Sequence, residues 1–375
     1  MLEARRIGRQ VTGRSTAKIT VQHGLIYRHL IETMGLEQAR VYADANQAGL
    51  RYIERLIAER VIDCDFQTKD AYVYVGLRSD RRQLLDQEAE AARRVGLDAE
   101  VLPSAPLPFP TGGALRFPQQ AQFNPAKYLI AAASVAAKAG VTVFEETRIK
   151  AIEPGSRWRL KAEDAEIAAH EVIVATNSPL PGPYDFDFDP RIQPRCHLAM
   201  GFSIDPEHAP NGMLIAGEEP FHSIRTGDDG SGAVLVVLGP RFKTGQEGNI
   251  ADQFFRLENW VRENFRVRHV GWRWSNEDMD TADRLAFVGP VPERDSGLYV
   301  ATGFNAWGIT NGTAAGLLLA DQIVGRPNAW AALFDPARPY PRSINPGGST
   351  ATRITSIAEL VCVTPIVCTP YPHRN

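Results

Sequence analysis

The chain has 375 residues, and its 41 lysines and arginines against 44 aspartates and glutamates give a formal charge of −3 at pH 7. This near-neutral balance excludes the basic surface typical of nucleic-acid-binding proteins. The composition, 44% hydrophobic and 23% charged, excludes disorder over most of the length. At roughly 150 residues per domain, the length predicts two or three domains.

The sequence shows no pattern of a membrane, secreted or metal-binding protein. No apolar run approaches the roughly 18 residues of a membrane span. The first ten residues lack a signal-peptide pattern, so we expect a cytoplasmic protein. The cysteines are Cys64, Cys196, Cys362 and Cys368, without a C-x-x-C pair, which favours isolated thiols over a disulfide framework or a metal site.

Hydrophobic periodicity predicts that helices and strands alternate along the chain. The helices have apolar residues about every 3.6 positions and are predicted at 41–56, 82–95, 124–138, 250–265 and 310–324. The strands are short β-rich runs, predicted at 71–75, 141–144, 148–152, 158–162, 171–175 and 298–301, with further antiparallel strands between 196 and 238. The proline-rich stretch 103–118 predicts an irregular connection.

The run 171–176, EVIVAT, is almost continuously apolar, as in strands that are buried on both faces of a parallel sheet. Segments of this parallel type alternate with segments of antiparallel type along the chain. We therefore expect a mixed α/β fold in which two domains are interleaved, each assembled from separate pieces.

Two segments have the pattern of a nucleotide-binding or flavin-binding joint. The segment 298–316, LYVATGFNAWGITNGTAAG, predicts a strand, a glycine turn and a helix that begins near Thr310. A helix N-terminus presents unpaired N–H groups that hold a phosphate or an anionic flavin edge. The segment 171–182, EVIVATNSPLPG, ends a strand in small and polar residues. Each segment also fits an ordinary exit from a strand.

A competing motif points to a serine hydrolase. Ser15 and Lys18 match S-x-x-K, and residues 243–245 match K-T-G, which are two elements of penicillin-recognising enzymes. No S-D-N stands between them, and Lys243 lies in a turn-like stretch. The hydrolase is therefore kept only as a remote alternative.

Three stretches together resemble one family. They are the opening LEARRIGRQVTGRSTAKITVQHGLIY, the strand EVIVATNS, and the closing WSNEDMDTADRLAFVGP followed by GLYVATGFNAWGITNGTAAGLLLADQIVG. They are similar to FAD-dependent oxidoreductases of the D-amino acid oxidase, glycine oxidase and γ-glutamylputrescine oxidase type. The bacterial variety with a C-terminal Rieske domain is the most similar. The resemblance covers about residues 2–336.

The resemblance implies an FAD cofactor and oxidation of a carbon–nitrogen bond of an amine or amino acid by hydride transfer. The family's first strand, G-x-G-x-x-G and helix have no counterpart in this sequence, and neither do the Rieske ligands. We therefore expect an incomplete Rossmann-like FAD domain, interleaved with an antiparallel-sheet substrate domain, in a truncated chain that binds FAD weakly. The alternative is a cofactor-free remnant without activity.

The resemblance also implies which residues contact the cofactor. Glu3 matches the acid that binds the adenosine ribose, Arg9 lies near the phosphates, and Ile149 lies near the adenine. The remaining matches are to flavin-side segments: Gly13, Arg14, Ser15, Thr16 and Ala17; Ala175, Thr176 and Asn177; Gly303, Trp307, Gly308, Ile309 and Thr310. The implied FAD domain comprises 1–66, 121–183 and 281–336, the substrate domain 67–120 and 184–280, and residues 343–375 form an irregular tail.

One position suggests the charge of the substrate. Amino-acid-oxidising relatives often place an arginine in a G-x-R-P-x-T-x-D-x-x-P-x-I-G segment, where it clamps the substrate carboxylate. Counting back from Gly289 puts Asp278 at that position. A carboxylate attracts an ammonium group, so we expect an amine or polyamine-like substrate. Alternatively, Asp278 is a solvated loop residue or pairs with Arg273. The exact substrate, electron acceptor and oligomeric state stay open.

Overall fold

The computed structural model describes residues 1–178, 191–246, 248–292 and 297–339. The tail predicted at 343–375 lies outside these residues. In the described ranges the α-helices are α1 Tyr27–Met34, α2 Leu36–Arg60, α3 Arg82–Arg94, α4 Pro125–Lys138, α5 Ile250–Asn264, α6 Gly308–Ile323 and α7 Ala331–Phe334. None of them combines the length and apolar character that crossing a membrane requires. The five predicted helices are confirmed within a few residues.

Two of the described helices, α4 and α5, start at asparagine caps. The Asn124 side chain accepts a hydrogen bond from the backbone N–H of Lys127, and Pro125 occupies the first turn, where its missing N–H costs nothing. The Asn249 side chain accepts from the Ala251 N–H in the same way at the start of α5. Both helices begin and end within a residue or two of their predicted bounds.

The strands of the described residues form one large and two small sheets. In chain order they are β1 Lys18–Ile19, β2 Gln67–Gly76, β3 Glu100–Leu102, β4 Thr111–Gln122, β5 Ala151–Glu153, β6 Trp158–Lys161, β7 Glu166–Ala169, β8 Val172–Asn177, β9 Ile192–Ile204, β10 Met213–Ala216, β11 Ser223–Asp228, β12 Ala233–Lys243, β13 Val267–Thr281, β14 Phe287–Pro290 and β15 Leu298–Thr302.

The large sheet has the order β1-β4-β2-β10-β11-β12-β9-β13, and β3 pairs with β4. Its described pairs are antiparallel except for β2 and β10. The expected antiparallel strands between 196 and 238 are confirmed. The sheet curls, since a side chain of β4 reaches a backbone carbonyl of β11: Gln122 Nε2 donates to the Thr226 carbonyl at 2.6 Å.

The irregular connection predicted at 103–118 is wrong for its second half, which belongs to β4. Pro118 hid this strand, because proline cannot donate to a sheet ladder. It is tolerated because the register with β2 shifts between Lys69 and Ala71, so that Pro118 and Gln119 form a bulge. Gln119 adopts a positive φ of 54° at that bulge.

The small sheets have the orders β14-β15-β8 and β5-β6-β7. β15 and β8 are parallel, as predicted for the run 171–176. Burial of β8 on both faces is wrong, since Val172 and Val174 are buried but Ile173 is 46% exposed because no described residue covers that face. The strand predicted at 141–144 is also wrong. Only an isolated parallel bridge between Leu2 and Phe144 forms there.

Cross-strand register gives the large sheet two faces of different character. Ile224, Val237 and Met200 share one face, which packs against Phe254 and Leu257 of α5; we call it the apolar face. Residues directly opposite one another on antiparallel strands point to the same side. The opposite side, here called the polar face, therefore comprises Ser223, Arg225, His197, Asn276 and Asp278.

Candidate functional site

The segment 11–17 is a tight loop with a 3₁₀ turn at Thr12–Arg14. Gly13 is required because a Cβ there would lie 1.9 Å from the Gly8 carbonyl oxygen. Ala17 adopts a positive φ of 48°, and the Ser15 hydroxyl accepts a hydrogen bond from the Ala17 N–H at 3.0 Å. The loop is thus held in one conformation by its own residues.

Strand β13 holds this loop against the polar face. Trp274 Nε1 donates to the Arg14 carbonyl at 2.9 Å, and Asn276 Nδ2 donates to the Val11 carbonyl at 3.1 Å. Both side chains project from the polar face. The loop predicted to pass the flavin ring therefore lies over that face.

The helix α6 begins at Gly308, two residues before the predicted start, after a short turn that follows β15. The turn requires Gly303, which has φ +73° and whose Cβ would lie 2.5 Å from Thr281 Cγ2. The helix start itself is open, since a Cβ on Gly308 would meet its nearest atom, on Phe304, at 3.8 Å. Its first N–H groups are available to a ligand.

A buried histidine joins Thr20, which follows the loop 11–17 and β1, to the start of α6. His23 Nε2 lies 2.8 Å from the Thr20 carbonyl and 3.1 Å from Thr310 Oγ1, and Nδ1 lies 2.6 Å from the Tyr42 hydroxyl. The carbonyl can only accept, so Nε2 carries the proton and Nδ1 accepts from Tyr42. Trp307 stacks on the imidazole at 4.7 Å. Burial lowers the pKa of His23 to about 3, so it is neutral.

The end of β8 lies beside the end of β15, as expected for parallel neighbours. Thr302 Oγ1 donates to the Asn177 carbonyl at 2.6 Å, and Asn177 Nδ2 donates to the Glu277 carbonyl of β13 at 3.2 Å. Ala175 and Thr176 are exposed. β13 thus contacts a second of the predicted cofactor segments.

The residues predicted for the adenosine side make their contacts away from the loop 11–17 and the start of α6. The Glu3 carboxylate accepts from the Arg5 N–H at 2.9 Å, and the Glu3 N–H donates to the Phe144 carbonyl at 2.9 Å. Ile149 packs against the cluster around β6 and β8, and Arg9 is exposed. The structure brings Glu3 to the 144–147 segment rather than to the start of α6.

Asp278 lies within a strand on the polar face, and both alternatives considered for it are wrong. Its carboxylate is 15% exposed and lies 3.1 Å from His197 Nδ1, without hydrogen-bond geometry. Arg273 instead pairs with Glu258 at 2.7 Å, because it points to the other face. Two polar atoms on neighbouring strands are therefore buried without a hydrogen-bonding partner in the described part of the chain.

A cluster that sequence reasoning missed lies on the same face; it comprises Lys18, Gln122, Ser223 and Arg225, and we call it the Lys18 cluster. Lys18 Nζ donates to Ser223 Oγ. Ser15, the serine of the S-x-x-K match, bonds to its own loop instead, so the serine–lysine pairing of a hydrolase is not formed. Only the tertiary fold unites these residues, because β1, β4 and β11 are remote in sequence.

These contacts converge on one place. The loop 11–17, the end of β8 and the turn before α6 each bond to β13, the last through the Asn305 N–H and the Met279 carbonyl at 3.1 Å. A flavin ring fits such a site because the open helix start can donate to a polar ligand, and because His197 Nδ1 and Asp278 Oδ2 are buried without hydrogen bonds among the described residues. Gly13–Ala17, Asn177 and Gly303–Thr310 are brought together; Glu3 and Ile149 make their contacts elsewhere.

Comparison with known proteins decides the family. The sequence profile of the family described as FAD dependent oxidoreductase (DAO) matches residues 1–322. The chain belongs to this family. FAD is therefore its cofactor. This confirms the family and the cofactor that the sequence resemblance implies.

The FAD-dependent oxidoreductase is similar in sequence to two bacterial proteins. One is YhfW of Bacillus subtilis (strain 168), named as a Rieske 2Fe-2S iron-sulfur protein, with 28% identity over 92% of this chain and 67% of that protein. The other is gamma-glutamylputrescine oxidoreductase of Escherichia coli (strain K12), with 21% identity over 93% of this chain and 82% of the relative.

Solved structures confirm the mixed α/β fold. Glycine oxidase from Geobacillus kaustophilus superposes with a TM-score of 0.72 at 18% identity, over 89% of this chain and 90% of that chain. L-proline dehydrogenase from P. horikoshii superposes with a TM-score of 0.74 at 16% identity, over 89% of each chain. At these identities the likeness establishes the fold.

Proposed function

We propose that the chain oxidises the carbon–nitrogen bond of an amine or amino acid in an FAD-dependent reaction. The observation that carries this proposal is the convergence of the loop 11–17, the end of β8 and the start of α6 over the polar face of the large sheet. When bound, FAD supplies the acceptor for the hydride that leaves the carbon next to nitrogen. The names of two similar proteins, gamma-glutamylputrescine oxidoreductase and glycine oxidase, agree with this substrate class.

The protein's own residues have positioning roles in this proposal. The flavin end is held by the loop Gly13, Arg14, Ser15, Thr16 and Ala17, by Ala175 and Thr176, and by Gly303, Trp307, Gly308, Ile309 and Thr310. The N–H groups at the start of α6 would hold the flavin ring and place positive potential beside it. We assign Glu3, Arg9 and Ile149 to the adenosine end, on the basis of the family resemblance.

We also propose that the division into domains follows the sheets. The sheet β14-β15-β8 lies within the proposed FAD domain of 1–66, 121–183 and 281–336. Most of the large sheet lies within the proposed substrate domain of 67–120 and 184–280. β1 extends the large sheet from the FAD side, so the loop before it passes directly from one domain to the other.

Asp278 is our candidate for binding the positive end of the substrate. It shares the polar face with the tryptophan that holds the loop, and its carboxylate is mostly buried beside His197. A buried carboxylate attracts an ammonium group more strongly than an exposed one does. The proposed substrate is therefore an amine or polyamine-like compound rather than a simple amino acid.

The cofactor site is tested by the substitution Gly308→Val, with Gly312→Val as the matched control on the same helix. A Cβ at either position meets no close atom within the protein, so both variants are expected to fold. We expect Gly308→Val to weaken FAD binding at least tenfold, because the added side chain occupies the helix start. An absorbance titration with FAD measures this. Equal affinities for the two variants would place the flavin elsewhere.

The substrate proposal is tested by oxygen-free reduction of the FAD-loaded protein with glycine, sarcosine, D-alanine, putrescine and γ-glutamylputrescine. We expect the amines to reduce FAD faster, and Asp278→Asn to remove that preference. Asp280→Asn is the control, because Asp280 lies on the same strand face but is already paired with Arg241 at 2.6 Å. Faster reduction by the simple amino acids, unchanged in Asp278→Asn, would contradict the role of Asp278.

A further inference from the structure

The Lys18 cluster is buried on the polar face of the large sheet, and its lysine directly follows the loop 11–17 in the chain. Lys18 lies directly opposite Gln122 in the β1–β4 pair. The exposed fractions of Lys18, Ser223 and Arg225 are 9%, 4% and 8%. Arg225 projects from the polar face, so the cluster and Asp278 line the same side of the sheet.

The charges of the cluster are not neutralised by the described residues. Neither Lys18 nor Arg225 has a carboxylate within ion-pairing distance in the described ranges. The Asp65 carboxylate, which is paired with Lys127, favours the charged form of Arg225 only from beyond that distance. Arg225 Nε and Gln122 Oε1 are buried without a hydrogen-bonding partner among the described residues. A buried polar group without a partner is costly, and such groups are typically kept where a ligand satisfies them.

This environment favours the neutral amine of Lys18. Burial, together with the facing guanidinium of Arg225, lowers the pKa of Lys18 to about 7. Burial also lowers the pKa of Arg225, to about 10, so Arg225 stays charged at neutral pH. The Ser223 hydroxyl can donate to a neutral lysine amine and accept from a charged one, and therefore holds Nζ in place in both states.

We propose that Lys18 is the base that removes the proton from the reacting ammonium group of the substrate, which is a different group from the positive end assigned to Asp278. This inference rests on the proposed amine oxidation, which requires a neutral amine because a hydride leaves readily only from a carbon next to a nitrogen lone pair. One N–H bond of the ammonium breaks and its electron pair stays on the substrate nitrogen. The proton forms a new N–H bond on Nζ, so no further reactant is needed.

The neighbours of Lys18 support this transfer. Gln122 Oε1 lacks a partner and can accept an N–H of the bound amine, which orients the nitrogen. The positive charge of Arg225 disfavours the ammonium form of any amine bound beside it. A base whose pKa lies close to the working pH transfers protons most efficiently.

The protonation of Lys18 is tested without turnover by NMR of protein labelled with ¹³C at lysine Cε. The Lys18 resonance is identified by its loss in Lys18→Arg. We expect it to titrate near pH 7, as its environment predicts, and to titrate at higher pH in Arg225→Met. Lys127, which is exposed and paired with Asp65, is the internal control. Titration of Lys18 together with Lys127 would overturn the proposal.

The role in the reaction is tested by the pH profile of FAD reduction by an amine. We expect Lys18→Met to slow reduction on the order of 100-fold at neutral pH. The deficit should shrink as rising pH deprotonates the free amine. Lys18→Arg should not restore the rate, since arginine stays protonated, and Lys127→Met should match the wild type.

Three outcomes separate this inference from the proposed function. If amines reduce FAD and Lys18→Met leaves the pH profile unchanged, Lys18 is not the base and the proposed function stands. Recovery in Lys18→Arg would also overturn the inference, because it would show that a permanent positive charge, as in an anion-binding site, is what the reaction needs. If no amine or amino acid reduces bound FAD, the proposed function itself is wrong.

Discussion

The two faces of the large sheet differ in the character of their buried side chains. On the apolar face, Phe202, Met200 and Val237 are 0% exposed and pack beneath α5. On the polar face, Arg225 and Gln122 are also buried but keep polar atoms without hydrogen-bonding partners in the described part of the chain. The first arrangement stabilises the fold, and the second costs stability and suits a ligand. Stability and binding are thus divided between the two sides of one sheet.

The largest predicted effect lies on the apolar face. Phe202→Ala leaves a cavity at a fully buried position and should lower the free energy of unfolding by about 3–5 kcal/mol. Urea unfolding measures this loss. The control is Phe255→Ala on α5, which removes a side chain that is 65% exposed and should change stability by less than about 1 kcal/mol. Similar losses in both variants would contradict the assignment of the apolar face.

A second prediction concerns a buried polar group that is fully partnered, His23. Its folded pKa of about 3 lies below the unfolded value of 6.5, so the unfolded chain binds more protons between these pH values. Stability should therefore fall as the pH falls from 6.5 towards 3, by about 1.4 kcal/mol per pH unit within this window.

The contribution of His23 is isolated by comparing the wild type with His23→Gln. His222, whose pKa burial lowers to about 4, acts in the same direction, and Glu88, whose pKa burial raises, acts in the opposite one. Both are common to the two proteins. We expect a flatter acid dependence in the variant, measured by urea unfolding at several pH values. Parallel curves would show that His23 is protonated in the folded state.

The smallest predicted effect concerns Arg225, whose buried charge represents the polar face. Arg225→Met removes a buried charge without an ion-pairing partner, and should leave the free energy of unfolding unchanged or raise it by about 1 kcal/mol. Arg338→Met is the matched control, because the Arg338 side chain is also buried but donates to Asp283 at 2.8 and 3.1 Å. It should cost about 3–5 kcal/mol. A comparable loss in both variants would mean that Arg225 is structural.

Local signals in the sequence were sufficient for much of the fold. The periodicity of apolar residues predicted α4 and α5 within a residue or two, and the apolar run of β8 predicted its parallel pairing. β4 was missed because its bulge at Pro118 depends on its partner strand. The exposure of Ile173 could not be inferred either, since burial depends on what covers a strand.

The candidate site was predictable only in part, for the same reason. The glycines at Gly13, Gly303 and Gly308 carry a local signature, and the structure brings their segments together over β13. The Lys18 cluster has no such signature, because strand curvature alone brings Lys18 to Ser223, 205 residues away in sequence. Sequence patterns thus indicated where the cofactor meets the protein, but not which side chains face the substrate.

The most direct test of this account is the rate at which amines reduce FAD in the absence of oxygen, followed by the loss of flavin absorbance. We predict rapid reduction by at least one amine in the wild type and in Phe255→Ala, and slow reduction in Lys18→Met, which alters the polar face. Equal rates in the three proteins would contradict the role of Lys18 on the polar face, and no reduction by any amine or amino acid with FAD bound would contradict the proposed function itself.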